Sequence, residues 1–365
     1  MTATPRPGFL ESRSLVFWVT VALMAIGAYW RFSSMFDLWG DYRSGIVASI
    51  VVWVVYGVVV AWLIFRLQRF EQRPVSATVA AVAWGFFVAG GVVALVGEDL
   101  QSLFDKLLGF DTSREWGPAF RAPLIEETMK YLGVVALALI PRVRLTRVID
   151  GVYYGMLAGL GFVVSENIFF SNEAIAAAGG QGIGSEIFDV LVIRGIASLP
   201  FSHVVFSAIA GAGVGYFTSR RGRPVAGRLA VTFGLYATAF ALHGFQNSPF
   251  LDDVAGNVYI KGLPALAVFL IVLRWGRSEY RSDLRRLADT LGPVSGEDVD
   301  SLATRHRRKK AAEATDDPRM AGAEQRALIR LLVTADRYGP DSPPVVEAEA
   351  ALGADSGSRN GTPAS

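Results

Sequence analysis

The chain has 365 residues, of which 52% are hydrophobic and 19% are charged, and its mean hydropathy is +0.37. A soluble enzyme of this length is less apolar, so this composition excludes one and predicts a membrane protein. The sequence contains no cysteine, which excludes disulfides, thiolate metal sites and a cysteine nucleophile. The formal net charge of +2 does not by itself exclude any class of protein.

Apolar runs of roughly 17–25 residues, the length that crosses a bilayer, recur along the chain. The first run lacks a small-residue cleavage site, so we expect a retained helix there and not a signal peptide. The predicted fold class is all-α, a polytopic helical membrane protein with about eight transmembrane helices and a soluble C-terminal tail. The predicted spans lie near residues 15–35, 44–65, 75–97, 119–140, 151–173, 197–218, 226–247 and 258–274.

The sixth apolar stretch, about residues 187–217, is too long for one straight crossing and is interrupted by Gly195 and Pro200. We therefore expect residues 185–196 to form an amphipathic segment at the outer surface, with the span itself starting near residue 197. Arg194 would then lie at the outer interface, where a long cationic side chain can reach water.

The loops that connect the predicted spans alternate in charge. Arginines cluster around residues 66–73, 142–147 and 220–228, whereas the loops between these clusters carry aspartates and glutamates. The positive-inside rule places arginine-rich loops in the cytoplasm. With an even number of spans, this pattern predicts a multi-pass plasma-membrane protein whose N- and C-termini are both cytoplasmic.

The chain changes character after about residue 275. Residues 278–292 have the basic, amphipathic spacing of a helix that lies on an anionic inner leaflet. A further helix is expected within residues 305–339. The last 25 or so residues are rich in Pro, Gly, Ala, Ser and acidic groups, a composition typical of disorder.

Ionisable side chains interrupt the four central spans at one depth. Glu126 and Glu127 are adjacent in the fourth span, Glu166 lies in the fifth, and His203 and His243 lie in the sixth and seventh. Counted from the nearest cytoplasmic arginines at about 1.5 Å per residue, these groups lie roughly 22–28 Å from the inner boundary. A carboxylate in hydrocarbon costs several kcal/mol, so the pattern predicts a chemical site in the outer half of the bilayer.

Each polar group also has a structural alternative. The glutamate pair could form a charge pair with Lys130, which follows on a neighbouring helix face. Glu166 and His203 could be isolated hydrogen-bonding groups between helices. His243 and Asn247, which share a helix face, could form an interfacial polar patch. The chain has three histidines, and the position of two of them at one depth favours a site.

Two kinds of chemistry fit these groups, and the sequence leaves both open. In the first, a buried glutamate activates water as a general base, and Asn247 supplies an amide donor to an oxyanion. In the second, Glu166, His203 and His243 hold a metal such as Zn²⁺, and a neighbouring glutamate is the base. The chain lacks an HExxH motif, a GxSxG motif and a Gly-Asp pair within a span.

Two motifs in successive spans resemble a known family. Residues 126–130, EETMK, match the EExxK motif of the PrsW family of intramembrane proteases, and residues 162–167, FVVSEN, match its FxxxE(N) motif. His203 and His243 fall where that family has histidines in later spans. The spacing from His243 to Asn247 also resembles the HxxxN motif of the related CAAX-prenyl-protease and bacteriocin-processing group.

The resemblance covers about residues 115–250 and implies a role for each matched residue. Glu126 would activate water, with Glu127 and Lys130 in support. Glu166 and His203 would complete the base or hold a metal, and the HxxxN pair would stabilise the oxyanion. The related CAAX group has histidine at the position of Glu166.

The resemblance also implies a division of the chain. The expected regions are an N-terminal three-span region (1–114), a PrsW-like catalytic membrane core (115–250), a last transmembrane helix (251–275) and a cytoplasmic tail (276–365).

We therefore expect an intramembrane endopeptidase that hydrolyses peptide bonds of membrane-anchored proteins, such as anti-sigma factors. The alternatives are a catalytically inactive scaffold or sensor and a proton-coupled transporter that uses the same Glu/His cluster. A transporter usually shows internal repeats, which this sequence lacks. The expected partners are membrane lipid and a membrane-anchored protein substrate. Nucleic acid is not expected, because the basic runs fit positive-inside loops and a membrane-surface tail.

Overall fold

The computed structural model describes residues 9–36, 38–67, 73–291, 294–302 and 305–357. Every regular element within these residues is helical, which confirms the predicted all-α class. Helices suit this composition because a helix satisfies its own backbone hydrogen bonds inside a bilayer. The chain divides into two compact units near Gly276.

The helices of the first unit cover most of the membrane-spanning sequence. They are α1 Leu15–Phe36, α2 Trp39–Leu67, α3 Val75–Ala83, α4 Gly90–Leu108, α5 Phe110–Ala138, α6 Val148–Ala177, α7 Ile183–Val190, α8 His203–Ser219, α9 Val225–Gln246 and α10 Asn257–Ala288. A first π-helix, Trp84–Ala89, joins α3 to α4, and a second π-helix, Leu191–Ala197, follows α7. A short 3₁₀ turn, Leu199–Phe201, precedes α8.

Seven helical stretches in the described residues are long and apolar enough to cross a membrane, which confirms a multi-pass membrane protein. They are Leu15–Phe36, Trp39–Leu67, Val75–Leu108, Val148–Ala177, Leu199–Ser219, Val225–Gln246 and Asn257–Ala288. The predicted fourth span corresponds to α5, which has 29 residues but carries Glu126, Glu127 and Lys130 in its middle. The structure therefore has a long helix at each of the eight predicted positions.

The end of the first unit differs from the sequence expectation. α10 continues from Asn257 to Ala288, so the basic stretch after residue 277 extends the last apolar helix and does not begin a separate surface helix. Arginine, leucine and glutamate are good helix formers, and no proline interrupts the helix after Pro264.

The second unit contains four further helices in its described residues. They are α11 Gly296–Leu302, α12 Arg305–Glu313, α13 Pro318–Tyr338 and α14 Pro343–Gly357. α12 and α13 occupy the region where one further helix was expected. α14 forms where the composition predicted disorder, because its alanines and glutamates are strong helix formers and Val345 is fully buried. Residues 358–365, which share that prediction, lie outside the described residues.

α6 occupies the centre of the first unit and is buried along its apolar length. A Cβ atom at Gly151, Gly155 or Gly159 would lie 2.0–2.3 Å from a carbonyl oxygen of α8, and one at Gly161 would lie 2.0 Å from the carbonyl oxygen of Val82. Small residues at such spacing allow helix backbones to touch in a membrane. The contact places the start of α8 directly against the middle of α6.

The glycine contact predicts a measurable stability difference. Gly155→Ala should destabilise the protein by about 1–3 kcal/mol, because the new methyl group collides with the α8 backbone. Gly234→Ala in α9 is the matched control, since a Cβ there meets no atom within 4 Å. Its better helix propensity should leave stability unchanged or raise it by about 1 kcal/mol. Thermal unfolding in detergent measures both, and equal melting temperatures would contradict the packing described above.

Candidate active site

α5 supplies two carboxylates and an ammonium group to the interior of the first unit. The helix is fixed at this level by the first π-helix, where Trp84 packs against Gly133 and its indole N–H donates a 2.8 Å hydrogen bond to the carbonyl oxygen of Met129. Met129 directly precedes Lys130. The indole thus fixes the turn that carries the charged side chains.

Glu127 is the centre of the buried hydrogen-bond network and is fully inaccessible to solvent. Its Oε1 lies 2.7 Å from Lys130 Nζ and 2.9 Å from His243 Nδ1. Lys130 Nζ also lies 2.8 Å from His203 Nδ1 and 4.0 Å from Glu126 Oε2. The ammonium group therefore links both glutamates of α5 to the histidine of α8. A buried ion pair is stable only when additional hydrogen bonds satisfy its charged groups, and His203 and His243 provide them here.

His203 is the first residue of α8, where the preceding 3₁₀ turn ends. Its Nε2 lies 3.2 Å from Glu166 Oε2 on α6. The same carboxylate oxygen accepts a 2.8 Å hydrogen bond from Arg194 of the second π-helix, and Arg194 Nε donates to Asn167 Oδ1 at 2.9 Å. Glu166 is therefore held between a guanidinium group and an imidazole ring.

His243 lies near the end of α9, and its side chain is almost completely buried. Its ring stacks on Phe206 with 5.0 Å between centroids and 8° between planes. Asn247 caps the C-terminus of α9. Its Nδ2 lies 3.0 Å from His243 Nε2 and 3.5 Å from the Pro118 carbonyl oxygen. The HxxxN pair is thus one hydrogen-bonded unit that reaches across to α5.

These residues come from four helices and one π-helix, in the chain order glutamate pair, glutamate, arginine, histidine, histidine. A family model described as PrsW family intramembrane metalloprotease matches residues 73–275. That match covers more than half of the chain and contains every residue of the network. The chain belongs to the PrsW family. No curated protein and no solved structure matches it.

The match is wider than the 115–250 core that the PrsW motifs indicated, because it includes the first π-helix and the greater part of α10. Family membership makes the protein an intramembrane protease. Its two best-matched motifs, on α5 and α6, supply the network's three glutamates.

The neighbours of the two PrsW histidines fix which ring nitrogen carries the proton. A carboxylate only accepts hydrogen bonds, so the nitrogen that faces it must be the protonated one. His243 therefore donates from Nδ1 to Glu127, and His203 donates from Nε2 to Glu166. The remaining nitrogens, Nε2 of His243 and Nδ1 of His203, carry lone pairs and lie 3.9 Å and 3.6 Å from Glu126 Oε2.

Glu126, His203 and His243 form a group that could hold a metal ion, with one donor atom from each residue within 4.8 Å of the others. Glu126 Oε2 is buried and accepts no hydrogen bond from the described part of the chain. Two imidazoles and a carboxylate are ligands that Zn²⁺ prefers, and histidine ligands usually donate their other N–H to a carboxylate, as both do here. The donor set therefore fits a divalent cation.

The metal-ligand set differs from the one expected from the sequence. The expectation grouped Glu166 with the two histidines, whereas the structure groups Glu126 with them. The reason is that Glu166 Oε2 already accepts hydrogen bonds from Arg194 and His203. Glu166 backs a histidine from outside the three-atom group.

The structure brings together all of the side chains that the sequence singled out as site residues. They are Glu126, Glu127, Lys130, Glu166, His203, His243 and Asn247.

Two further residues of the network were missed. Arg194 was expected to reach water at the outer interface, yet it pairs with Glu166, and Asn167 accepts its second hydrogen bond. A lone arginine in an apolar stretch, close in depth to a lone glutamate, is the signal that would have found the pair.

The donor set predicts cation binding that depends on particular histidines. His243→Ala should lower the affinity for Co²⁺ or Zn²⁺ by more than the 10–100-fold typical of losing an outer-shell partner, because a ligand is removed. His306→Ala is the control, since His306 is the third histidine of the chain and lies exposed on α12. Calorimetric titration of the purified protein measures the affinity. Equal affinity in the two variants would place the cation elsewhere.

Proposed function

We propose that this PrsW-family protein hydrolyses peptide bonds of membrane-anchored proteins at the cluster of Glu126, His203 and His243. The observation that carries the proposal is that one nitrogen of each histidine lies within 3.6–3.9 Å of Glu126 Oε2, so that three possible metal ligands meet inside a membrane-spanning helical unit. Each of these histidines is oriented by a carboxylate of its own. Histidines that hold a metal are usually oriented by a carboxylate in this way, whereas a structural charge pair does not need it.

Glu126 is the residue that we propose to take a proton from water. It retains about 7% of its surface exposed, whereas Glu127 is completely buried, so Glu126 is the more accessible of the two carboxylates. Its Oε2 is not used as a hydrogen-bond acceptor by the described residues. If Glu126, His203 and His243 instead hold a divalent cation, the cation would supply Lewis-acid polarisation and acidification of water, and Glu126 would act as its ligand and not as the base.

Glu127 and Lys130 are proposed to support this chemistry without touching the substrate. Their 2.7 Å ion pair is completely buried, and Lys130 reaches His203 while Glu127 reaches His243. The pair therefore sets the spacing of both rings. Removing either partner would leave an uncompensated buried charge, which typically costs about 3–5 kcal/mol.

Asn247 is proposed as the donor to the developing oxyanion. The resemblance assigned this role to His243 and Asn247 together. His243 has no N–H left for it, because its Nδ1–H is directed at Glu127 and its Nε2 faces Asn247. One Asn247 N–H is bonded to His243 and the other makes only a long 3.5 Å contact with the Pro118 carbonyl oxygen, so the second is the N–H that we propose to turn to the oxyanion.

The substrate is proposed to be a single-span or peripheral protein of the same membrane, such as an anti-sigma factor. Placing the arginine-rich loops in the cytoplasm puts the cluster in the outer half of the plasma membrane, with both termini inside. Water reaches that depth from the outer face, as hydrolysis requires. An inactive scaffold or a proton-coupled carrier would share the helices but would not cleave.

Loss of Glu126 should abolish proteolysis. Glu126→Gln keeps the size of the side chain but removes its basic oxygen, and we expect cleavage of a panel of single-span reporter proteins to fall by about 10²–10⁴-fold. Glu173→Gln is the matched control, because it makes the same change at an exposed position of α6. Purified protein in detergent, with and without a chelator, provides the assay.

Equal cleavage by the two glutamine variants would remove Glu126 from the mechanism. Loss of cleavage with the chelator, restored by added Zn²⁺, would establish the metal-dependent form of the reaction. Cleavage that resists the chelator and is lost in Glu126→Gln would establish the metal-free form.

The orientation can be tested directly because the chain has no cysteine of its own. Arg221→Cys lies in the exposed turn between α8 and α9, and Asp253→Cys lies in the exposed loop between α9 and α10. A membrane-impermeant maleimide should label Asp253→Cys in intact cells and Arg221→Cys only after permeabilisation. The reverse labelling pattern would invert the topology and place the cluster in the inner half of the membrane.

A further inference from the structure

We propose that Arg194 is a positioning residue of the site, which holds Glu166 so that Glu166 fixes the ring of His203. This inference rests on the proposed function and adds a residue that neither PrsW motif contains. One chain of contacts connects the second π-helix through α6 to the start of α8.

Arg194 contacts a single turn of α6 in three ways. Its Nη2 donates to Glu166 Oε2 at 2.8 Å, its Nε donates to Asn167 Oδ1 at 2.9 Å, and its guanidinium carbon lies 3.8 Å from the centroid of the Phe170 ring. The planar, forked guanidinium suits two acceptors and an aromatic face at once, whereas a lysine ammonium is a single charged point. These contacts fix the direction of the Glu166 side chain.

The effect on His203 comes from one shared oxygen. Glu166 Oε2 accepts the hydrogen bond of Arg194 and faces Nε2 of His203 at 3.2 Å. With that oxygen fixed, the Nε2–H form of the ring is favoured and Nδ1 is directed at Glu126, 3.6 Å away. Lys130 donates to the same Nδ1, so it favours the same form of the ring.

The second π-helix, which carries Arg194, is itself fixed by α2. Tyr56 donates a 3.0 Å hydrogen bond to the Gly195 carbonyl oxygen, and a Cβ atom at Gly195 would lie 3.1 Å from the Trp53 ring. Trp53 in turn donates to Ser171 Oγ of α6 at 2.8 Å. π-helices occur frequently at functional sites, and here the distortion is held in place at Gly195, directly after the arginine.

The strength of the ion pair is not what matters in this inference. The Arg194 side chain is 36% exposed, and pairs with such exposure add little to stability. Arg194 should therefore affect the reaction rate and the ring of His203 far more than it affects the melting temperature. This difference separates a positioning role from a purely structural one.

The test compares three variants of the full-length protein in detergent. Arg194→Met removes the guanidinium group. Arg194→Lys keeps the positive charge but cannot bond Glu166 and Asn167 in the same planar geometry. Arg228→Met is the matched control, because Arg228 is also half-buried, stacks on Phe217 at 4.4 Å and bonds a carbonyl oxygen, yet touches no residue of the site.

For the kinetic measurement, we expect Arg194→Met to lower kcat by about 10–100-fold with KM changed less than about threefold. Arg194→Lys should recover part of the lost kcat. Arg228→Met should match the wild type, and all variants should melt within a few degrees of one another. If Arg194→Met has the kcat of Arg228→Met, the inference is wrong. If Arg194→Met does not fold, the test rests on Arg194→Lys, and a kcat equal to that of the wild type in this variant would also overturn the inference.

The second readout does not depend on activity. Long-range proton–nitrogen correlations of ¹⁵N-histidine protein, treated with chelator, report which ring nitrogen carries the proton. Only three histidines contribute, so His203 can be assigned by its absence in His203→Ala. We expect the Nε2–H form in the wild type and in Arg228→Met, and a mixture of forms in Arg194→Met. An unchanged His203 signal in Arg194→Met would overturn the inference even if Glu126→Gln abolishes cleavage.

Discussion

A carboxylate inside a bilayer persists only where other groups meet its charge, and this requirement organises the whole site. Glu127 is met by Lys130 and His243, and Glu166 is met by Arg194 and His203. Lys130 lies on α5 with Glu127, but the contacts Glu127–His243, Glu166–His203 and Lys130–His203 each join two helices, so neutralising the charges also draws α5, α6, α8 and α9 together. Glu126 remains as the one glutamate of the three without such a dedicated donor, since its Oε2 accepts no hydrogen bond from the described residues. The pairing of the other two glutamates thus leaves Glu126 Oε2 free to react at the point where the helices meet.

Short hydrogen bonds between side chains on different helices require unusually close helices. The glycines of α6 remove the side chains that would otherwise separate it from α8, and the carbonyl oxygen opposite Gly159 belongs to His203 itself. The imidazole therefore starts from a backbone position in contact with α6, about two helix turns before Glu166. Trp84 performs a comparable task for α5, because its indole fits the gap at Gly133. The small residues consequently bring the helices close enough for the charged side chains to pair.

Much of the fold was predictable because hydrocarbon leaves few alternatives to long apolar helices, and polar residues in such helices stand out. The glutamates and histidines of the network were identified in this way, because they are polar residues at one depth in otherwise apolar spans. The partner choice of each side chain was not predictable, since it depends on hydrogen-bond geometry across helices. That is why Glu166 was grouped with the histidines in place of Glu126, and why Arg194 was assigned to water. The two π-helices carry no local sequence signal, and the composition of α14 resembles that of a disordered tail although Val345 is buried.

The helices of the site differ greatly in how much of their surface is covered. The apolar stretch of α6 is fully buried and that of α8 is 83% buried, whereas α9 is only 11% buried. α6 and α8 therefore form the covered centre of the site, whereas most of α9 faces outward. His243, which α9 carries, is nevertheless bonded to Glu127 in the interior, so a displacement of α9 would separate the two. The least covered of these three helices thus carries one of the site's most deeply buried side chains, and the geometry of the site depends on how α9 is held against α5 and α8.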